Sequence, residues 1–383
     1  MMQTRPVLPP KARGPLARRL AAAAARATLE LPVCQECGTA QYPLRERCVK
    51  CCSGALRWQV VGSCGVVLAR TAIRHSTEPY FQARRPILLC SIQLDAGPVV
   101  IAFASRQATE PGQRVQLLNR LDRSGEAMLV AVPEGAADEM GNVMSDPNSE
   151  IAGKVVLVIG AADAVGREIV TAFRKAGARE VLAAGDPSAA DVDHKVSMAD
   201  PPALKGLASS LASRIDILVN NLSFSAGQTA LADGADQGAR QEMEVNYFGL
   251  LNILRAFSPA MRARGQGVIV NVLSVWGQTS LPPLGTFSAS QAACVSLTQA
   301  ARAELAAWGV RVCGVFPAAL DTPTYSGIAA PKLAAAQLAA AIVKALPQGV
   351  EDVYPGGGAE ALHAKLRDDA KATEKEIASQ YPI

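Results

Sequence analysis

Asn271-Val-Leu-Ser-Val-Trp-Gly277, followed nine residues on by Thr286-Phe-Ser-Ala-Ser-Gln291, is the stretch from which the rest of the chain can be read. Residues 267–273 form an apolar run containing Val268, Ile269 and Val270, which predicts a buried strand that delivers Ser274 at its end. The segment after it has a helical pattern. Phe287 and Gln291 lie four apart and therefore share one face, a turn from each other. Upstream, Lys154 to Gly160 reads as a compact strand, and Val165 to Ala176 as an amphipathic helix ended by Gly177. Between them lies Gly160-Ala-Ala-Asp-Ala-Val-Gly166, a strand-to-helix turn whose backbone N–H groups and helix N-terminus would face a pyrophosphate.

Taken together these segments resemble the short-chain dehydrogenase/reductase family. The resemblance implies a doubly wound, parallel-sheet Rossmann domain of the α/β class over residues 151–383. It also implies an active site in which a strand-end Ser is followed thirteen residues on by a Tyr, and four after that by a Lys. In the family the Ser positions a carbonyl and the Tyr hydroxyl passes the proton. The Lys charge lowers the Tyr pKa and holds the ribose of a nicotinamide cofactor. Ser274 stands at the Ser position, but Phe287 replaces the Tyr and Gln291 the Lys. A phenyl ring has no proton to give, and a carboxamide has no charge with which to tune one.

Other departures point the same way. Ala164 puts a methyl group where the family has the middle glycine of its phosphate turn. Ala184 and Gly185 occupy the strand end that should read the adenosine ribose, with Asp186 two residues late, and Ser197 replaces the Asp that contacts adenine. Asn220-Asn-Leu-Ser223 matches the family's Asn-Asn-Ala-Gly with two bulkier residues, and Pro317-Ala318 replaces its Pro-Gly. NAD(P) binding would therefore rest on Gly160, Gly166, Asn220 and Thr322 in a degenerate frame. Among catalytic positions Ser274 is retained, as is Asn246, which matches the helix Asn that anchors a water relay. The scaffold is kept and the acid/base is gone. Tyr247 and Tyr325 are the tyrosines near matched motifs, and neither lies on the helix face the family uses.

The N-terminal part is of another kind. Cys34-Gln-Glu-Cys37 and Cys48-Val-Lys-Cys51 are two knuckles separated by ten residues, the spacing of a tetrahedral four-thiolate zinc site. Cys52 could stand in for Cys51, but the spacing prefers Cys51. With no open ligand position, the zinc would be structural. Short β-patterned runs follow at 56–61, 64–72, 87–94, 99–103, 115–118 and 127–132, with Gly or Pro in most intervals. They predict a small five-stranded barrel. The knuckles, Tyr42-Pro43, Trp58, Leu94-Asp95-Ala-Gly97-Pro98 and Pro111-Gly112 are similar to zinc-ribbon-plus-OB-fold proteins associated with acyl-CoA enzymes, notably thiolase-like enzymes and aldolases. That resemblance implies docking to such an enzyme, or binding part of a CoA thioester. Arg70, Arg74, His75, Arg84 and Arg85 would be a cationic rim for CoA phosphates; solvated barrel loops are the plainer reading.

The chain of 383 residues has room for both parts: an N-terminal extension (1–28), the zinc ribbon and barrel (29–133), a polar linker (134–150) and the Rossmann domain. Six basic residues before Glu30 are compatible with a transit peptide, but a flexible start leading into an Ala-rich helix from Pro15 to Ala27 is the plainer reading, with a cytoplasmic location. A net charge of +4 and 4% aromatic residues give no case for nucleic acid, and no apolar run reaches membrane-spanning length. Five of the nine cysteines fall within Cys34 to Cys52, which favours a metal site over a disulfide framework. The expected function is a non-catalytic accessory subunit of an acyl-CoA-degrading complex. The barrel would dock a thiolase-like enzyme or aldolase, and the dehydrogenase-shaped domain would pair with an active dehydrogenase. The alternative is an NAD(P)-dependent oxidoreductase acting on a 3-hydroxyacyl- or 3-oxoacyl-CoA. The family resemblance implies an oligomer in either case, through a four-helix interface that small Ala-rich faces at Ala289, Ala292, Ala293, Ala300 and Ala303 would permit; packing on their own sheet is the plainer reading, and both can hold at once.

Overall fold

The computed structural model describes residues 15–82, 86–104, 110–122, 124–135, 150–197 and 200–381. Arg84 and Arg85, and most of the linker, lie outside these residues. The chain divides into two compact units, Met1–Pro147 and Asn148–Ile383.

In the first unit helix α1 (Pro15–Ala25) leads to a two-stranded antiparallel sheet of β1 (Glu30–Cys34) and β2 (Leu56–Val60), with the knuckles between them. The run at 56–61, which the turn spacing groups with the barrel strands, instead pairs with residues 30–34, because the folded-back knuckle loop brings those two segments together. The barrel proper is closed by β3 (Cys64–Ile73), β4 (Ile87–Leu94), β5 (Val99–Ala104), β7 (Ala127–Pro133) and β6 (Arg114–Leu121), in that order around it, with a short helix α2 (Pro79–Gln82) before β4. Alternate residues such as Val67, Ile92, Val100, Val115 and Ala131 fill its interior, the period of two expected of strands with one buried face.

The second unit is a seven-stranded, all-parallel sheet in the order β10-β9-β8-β11-β12-β13-β14. Its strands are β8 (Val155–Ile159), β9 (Glu180–Gly185), β10 (His194–Lys195), β11 (Ile217–Asn220), β12 (Gly267–Val272), β13 (Val310–Val315) and β14 (Asp352–Val353). The central strands are buried on both faces, which is why they read as unbroken apolar runs. Each fully buried Val, Leu or Ile contributes about 1.5–3 kcal/mol. The helices are α3 (Ala164–Lys175), α4 (Pro201–Leu211), α5 (Ala235–Glu242), α6 (Gly249–Arg264), α7 (Gly285–Ala306), α8 (Ala335–Ala345), α9 (Gly357–Asp368) and α10 (Ala370–Gln380). A π-helical stretch, Met243–Phe248, joins α5 to α6. Winding reverses between β8 and β11, and that switch point opens a crevice at the carboxyl ends of the strands. No helix among the described residues is long and apolar enough to cross a membrane.

Candidate functional site

The crevice is lined first by the turn after β8. Gly160 has φ +75°, and a Cβ there would stand 2.8 Å from the Asn221 carbonyl oxygen. At Gly166 a Cβ would come within 2.2 Å of the Gly160 oxygen, so the first turn of α3 can press on the strand only as glycine. Asp163 caps that helix by accepting from Gly166 N at 2.6 Å, and Asn221 Nδ2 binds both Gly160 O (3.0 Å) and Asp163 Oδ1 (3.1 Å). Asn220 is buried and accepts from Leu222 N at 3.2 Å. The bulk of Leu222 is accommodated by Gly249, where an added Cβ would meet Leu222 Cδ2 at 2.7 Å. Asp186, past the end of β9, is engaged by Ser188, whose N–H (2.9 Å) and hydroxyl (2.6 Å) both donate to it and hold its carboxyl below the usual range.

Ser274 lies just past β12, 1% exposed, and caps the short turn Val275–Gly277. Three groups surround its hydroxyl: Pro317 O at 3.4 Å, Trp276 N at 3.3 Å and the Tyr325 hydroxyl at 3.3 Å. A carbonyl only accepts and a backbone N–H only donates. Ser274 therefore donates to Pro317 O, accepts from Trp276 N, and takes the Tyr325 proton on its remaining lone pair. Its capacity is used up within the chain.

Phe287 and Gln291, on α7, are each 2% exposed. Phe287 belongs to the core of the unit. Gln291 packs its backbone on the turn after Ser274, where a Cβ on Gly277 would lie 2.7 Å from the Gln291 carbonyl carbon, and its Oε1 is buried without a hydrogen-bond partner. Asn246 sits in the π-helical stretch, a local geometry that often marks functional positions. All of its carboxamide is committed: Oδ1 accepts from Phe224 N at 2.7 Å, and Nδ2 donates to Phe224 O (2.8 Å) and Ser290 Oγ (2.9 Å). Thr322 caps the turn Pro323–Tyr325 and accepts from Tyr325 N at 3.1 Å through its carbonyl. Burial pushes the Tyr325 hydroxyl up to about 12.

Residues 321–332 form a loop closed at its base. Leu320 and Leu333 are bridged, Leu333 N donates to Ala319 O (2.8 Å) and Asp321 N to Leu333 O (3.0 Å). Tyr325 and Ile328 are the buried side chains of this loop.

In the first unit Cys34, Cys37, Cys48 and Cys51 gather with all four sulfurs within 4.8 Å of one another, while Cys52 lies exposed and outside the cluster. Two of the pairs, Cys34–Cys51 and Cys37–Cys48, are 3.5 Å apart. Sulfurs about 2.3 Å from a tetrahedral zinc stand roughly 3.8 Å from each other, so the set can hold a structural metal such as zinc. Thiols this close ionise at one another's expense: Cys37 is drawn down to about 6 by Thr39, with help from Cys48 and Cys51, whereas Cys51, despite the Ser53 N–H, is driven up to about 12 by Cys34, Cys37, burial and Cys48. A cation removes that conflict. Gln41, fully buried, ties the second knuckle in place by donating to Arg45 O and Arg47 O (3.1 Å each) and accepting from Val49 N (3.0 Å). Of the proposed cationic rim, Arg70 is paired with Glu110 at 3.3 Å.

Residues 154–333 match the family model described as short chain dehydrogenase. The chain is 31% identical over 190 residues to dehydrogenase/reductase SDR family member 7B of Bos taurus, covering 44% of this chain and 58% of that protein. It is likewise 31% identical over 191 residues to a dehydrogenase/reductase SDR family protein 7-like of Anopheles gambiae, covering 44% and 60%. The chain thus spans less than two thirds of the length of these curated relatives. Among solved structures, a short chain dehydrogenase from Burkholderia cenocepacia in complex with NADP is 34% identical, with a TM-score of 0.56, over 60% of this chain and 98% of that one. A short-chain dehydrogenase from Streptomyces avermitilis is 27% identical, with a TM-score of 0.50 and the same coverage.

Proposed function

The chain belongs, through its second unit, to the short-chain dehydrogenase family, and we propose that it serves there as a non-catalytic member, a shaped subunit rather than an oxidoreductase. The observation that carries this reading is the fate of the reacting hydroxyls. Phe287 and Gln291 are buried on α7 where the family resemblance expects a proton donor and its cation, and Ser274 is satisfied from within the chain. General acid–base catalysis contributes about 10²–10⁴-fold, and optimally from a group that titrates near the working pH. Neither replacement can titrate, and Tyr325 stands at about 12.

The partner side of the proposal follows from the pairing of domains. A zinc ribbon and barrel like those of acyl-CoA-associated proteins would dock a thiolase-like enzyme or aldolase. The second unit would pair with an active dehydrogenase through α7, on which Ala289, Ala292, Ala300 and Ala303 are exposed and Ala293 is half-buried. Consecutive oxidation and carbon–carbon cleavage of an acyl-CoA would gain from one cytoplasmic protein touching both enzymes. Co-expression with a thiolase-like enzyme and with an active short-chain dehydrogenase of the same organism should give a mixed complex that Ala292→Arg with Ala300→Arg loses. Migration as a self-contained oligomer with neither protein would sink the docking idea.

A second reading, an NAD(P)-dependent oxidoreductase acting on a 3-hydroxyacyl- or 3-oxoacyl-CoA, draws support from the Ser274–Tyr325 pair, which sets a hydroxyl beside the retained Ser. Calorimetric titration with NADPH and NADH separates the two readings: micromolar binding accompanied by turnover of acetoacetyl-CoA would favour the enzyme.

A further inference from the structure

We propose that Tyr325 is a latch: its hydroxyl occupies the place on Ser274 that a ligand's oxygen would need, and so holds loop 321–332 shut over the crevice of the second unit. The inference rests on the non-catalytic reading above and adds the device that keeps the site closed.

Three observations combine. The loop is pinned where it leaves and rejoins the fold by the Leu320–Leu333 bridge, so it can move as one flap about a fixed base. Apart from Tyr325 and Ile328, its side chains are exposed or half-buried, with Ala330 resting at the edge of the core, so those two are its main anchors. Tyr325, in the turn just after Thr322, does more than pack. Its O–H fills the last free hydrogen-bonding position of Ser274, after Pro317 O and Trp276 N have taken the others. A carbonyl- or hydroxyl-bearing molecule reaching Ser274 would have to displace this internal hydroxyl and the ring that carries it. Opening costs the burial of one Tyr and one Ile side chain together with a buried hydrogen bond, which the exposed remainder of the loop does little to oppose.

Trp276 reports on this directly, because its indole is buried two residues from Ser274. With Trp58 and Trp308 replaced by Phe it becomes the sole tryptophan of the full-length chain, and acrylamide, a small neutral amide, measures access to it. The expected result is weak quenching in the parent and a several-fold larger quenching constant in Tyr325→Ala. Ser274→Ala, which removes the acceptor but leaves the ring's packing, should give a smaller rise in the same direction. If both variants keep the parent's thermal transition and quench as the parent does, the latch is refuted while the non-catalytic reading stands. If the parent turns over acetoacetyl-CoA with NADPH and Tyr325→Phe abolishes this, Tyr325 is a proton donor, and both the latch and the non-catalytic reading fall. If the parent turns over and Tyr325→Phe leaves the rate unchanged, the site is open in use, and again both fall.

Discussion

Asn246 and Ser290 are joined side chain to side chain, Nδ2 to Oγ at 2.9 Å, across the contact between the π-helical stretch and α7. Ser290 passes the connection on by donating to Phe287 O at 2.8 Å. The Asn246 carboxamide also clamps the backbone of Phe224 by both its N–H and its C=O. Asn246→Ala should therefore destabilise the second unit by about 2–4 kcal/mol, since it strands buried donors and acceptors as well as deleting hydrogen bonds. Ser290→Ala should cost only about 1 kcal/mol. A double-mutant cycle followed by urea unfolding should return a positive coupling energy, and additive effects would contradict the network.

Restoring the missing pair should not restore chemistry. Gln291 is 2% exposed, so Gln291→Lys places an ammonium in the core at a cost of several kcal/mol. Burial lowers the folded pKa of that lysine below its unfolded value of about 10.4. The folded state then binds fewer protons than the unfolded one, and stability recovers as pH rises through this range. The double variant Phe287→Tyr/Gln291→Lys should show the same loss at pH 7 with no turnover of acetoacetyl-CoA, because Ser274 remains engaged by Tyr325. Turnover in that variant would contradict the closed-site account.

Metal content is directly testable in the first unit. The protein should release one zinc equivalent on thiol modification, and cobalt substitution should give the absorption of a tetrahedral four-thiolate site. Cys34→Ser or Cys48→Ser should lose the metal and the order of the first unit, since such sites supply about 10–16 kcal/mol of apparent binding energy to folding. Cys52→Ser should change neither, as it lies outside the cluster. Gln41→Ala should weaken zinc binding by about tenfold, because its partners, the Arg45 and Arg47 carbonyls and the Val49 N–H, lose the group that fixes the loop.

The C-terminal region offers a pH signature. His363 stacks on Tyr354 at 3.8 Å, and Tyr354 on Phe316 at 5.2 Å. Burial, reinforced by Arg367, lowers the His363 pKa. A histidine depressed in the fold contributes stability that is complete above its unfolded pKa of about 6.5 and is lost as pH falls through the folded value. Thermal melts should therefore show a fall in transition temperature below about pH 6.5 that His363→Phe reduces. An unchanged pH profile would dismiss His363 as its source.

Local signals carried much of this. The two Cys-x-x-Cys knuckles marked from spacing alone the four cysteines whose sulfurs the fold gathers, and apolar runs at 154–160 and 267–273 marked buried parallel strands because both faces are covered. Chemistry that depends on distant segments was not legible. Gln41 reads as an ordinary polar residue until the knuckle closes around it, and the partner of Asn246 lies 44 residues away. Tyr325 is 51 residues from Ser274, and the family frame directs attention to α7 rather than to the turn after Thr322. The run at 56–61 has the composition of a barrel strand, but pairing partners are set by loop geometry, which alternation does not encode.

The bridge between Leu320 and Leu333 ties together the two stems of loop 321–332. Because both stems of the segment stay attached to the sheet domain, a single peptide-bond cut near Gly327 would release no fragment. It would leave two short free arms, one of them ending just beyond Tyr325. The nicked polypeptide should elute from a sizing column as the intact one does, yet admit small solutes to its interior.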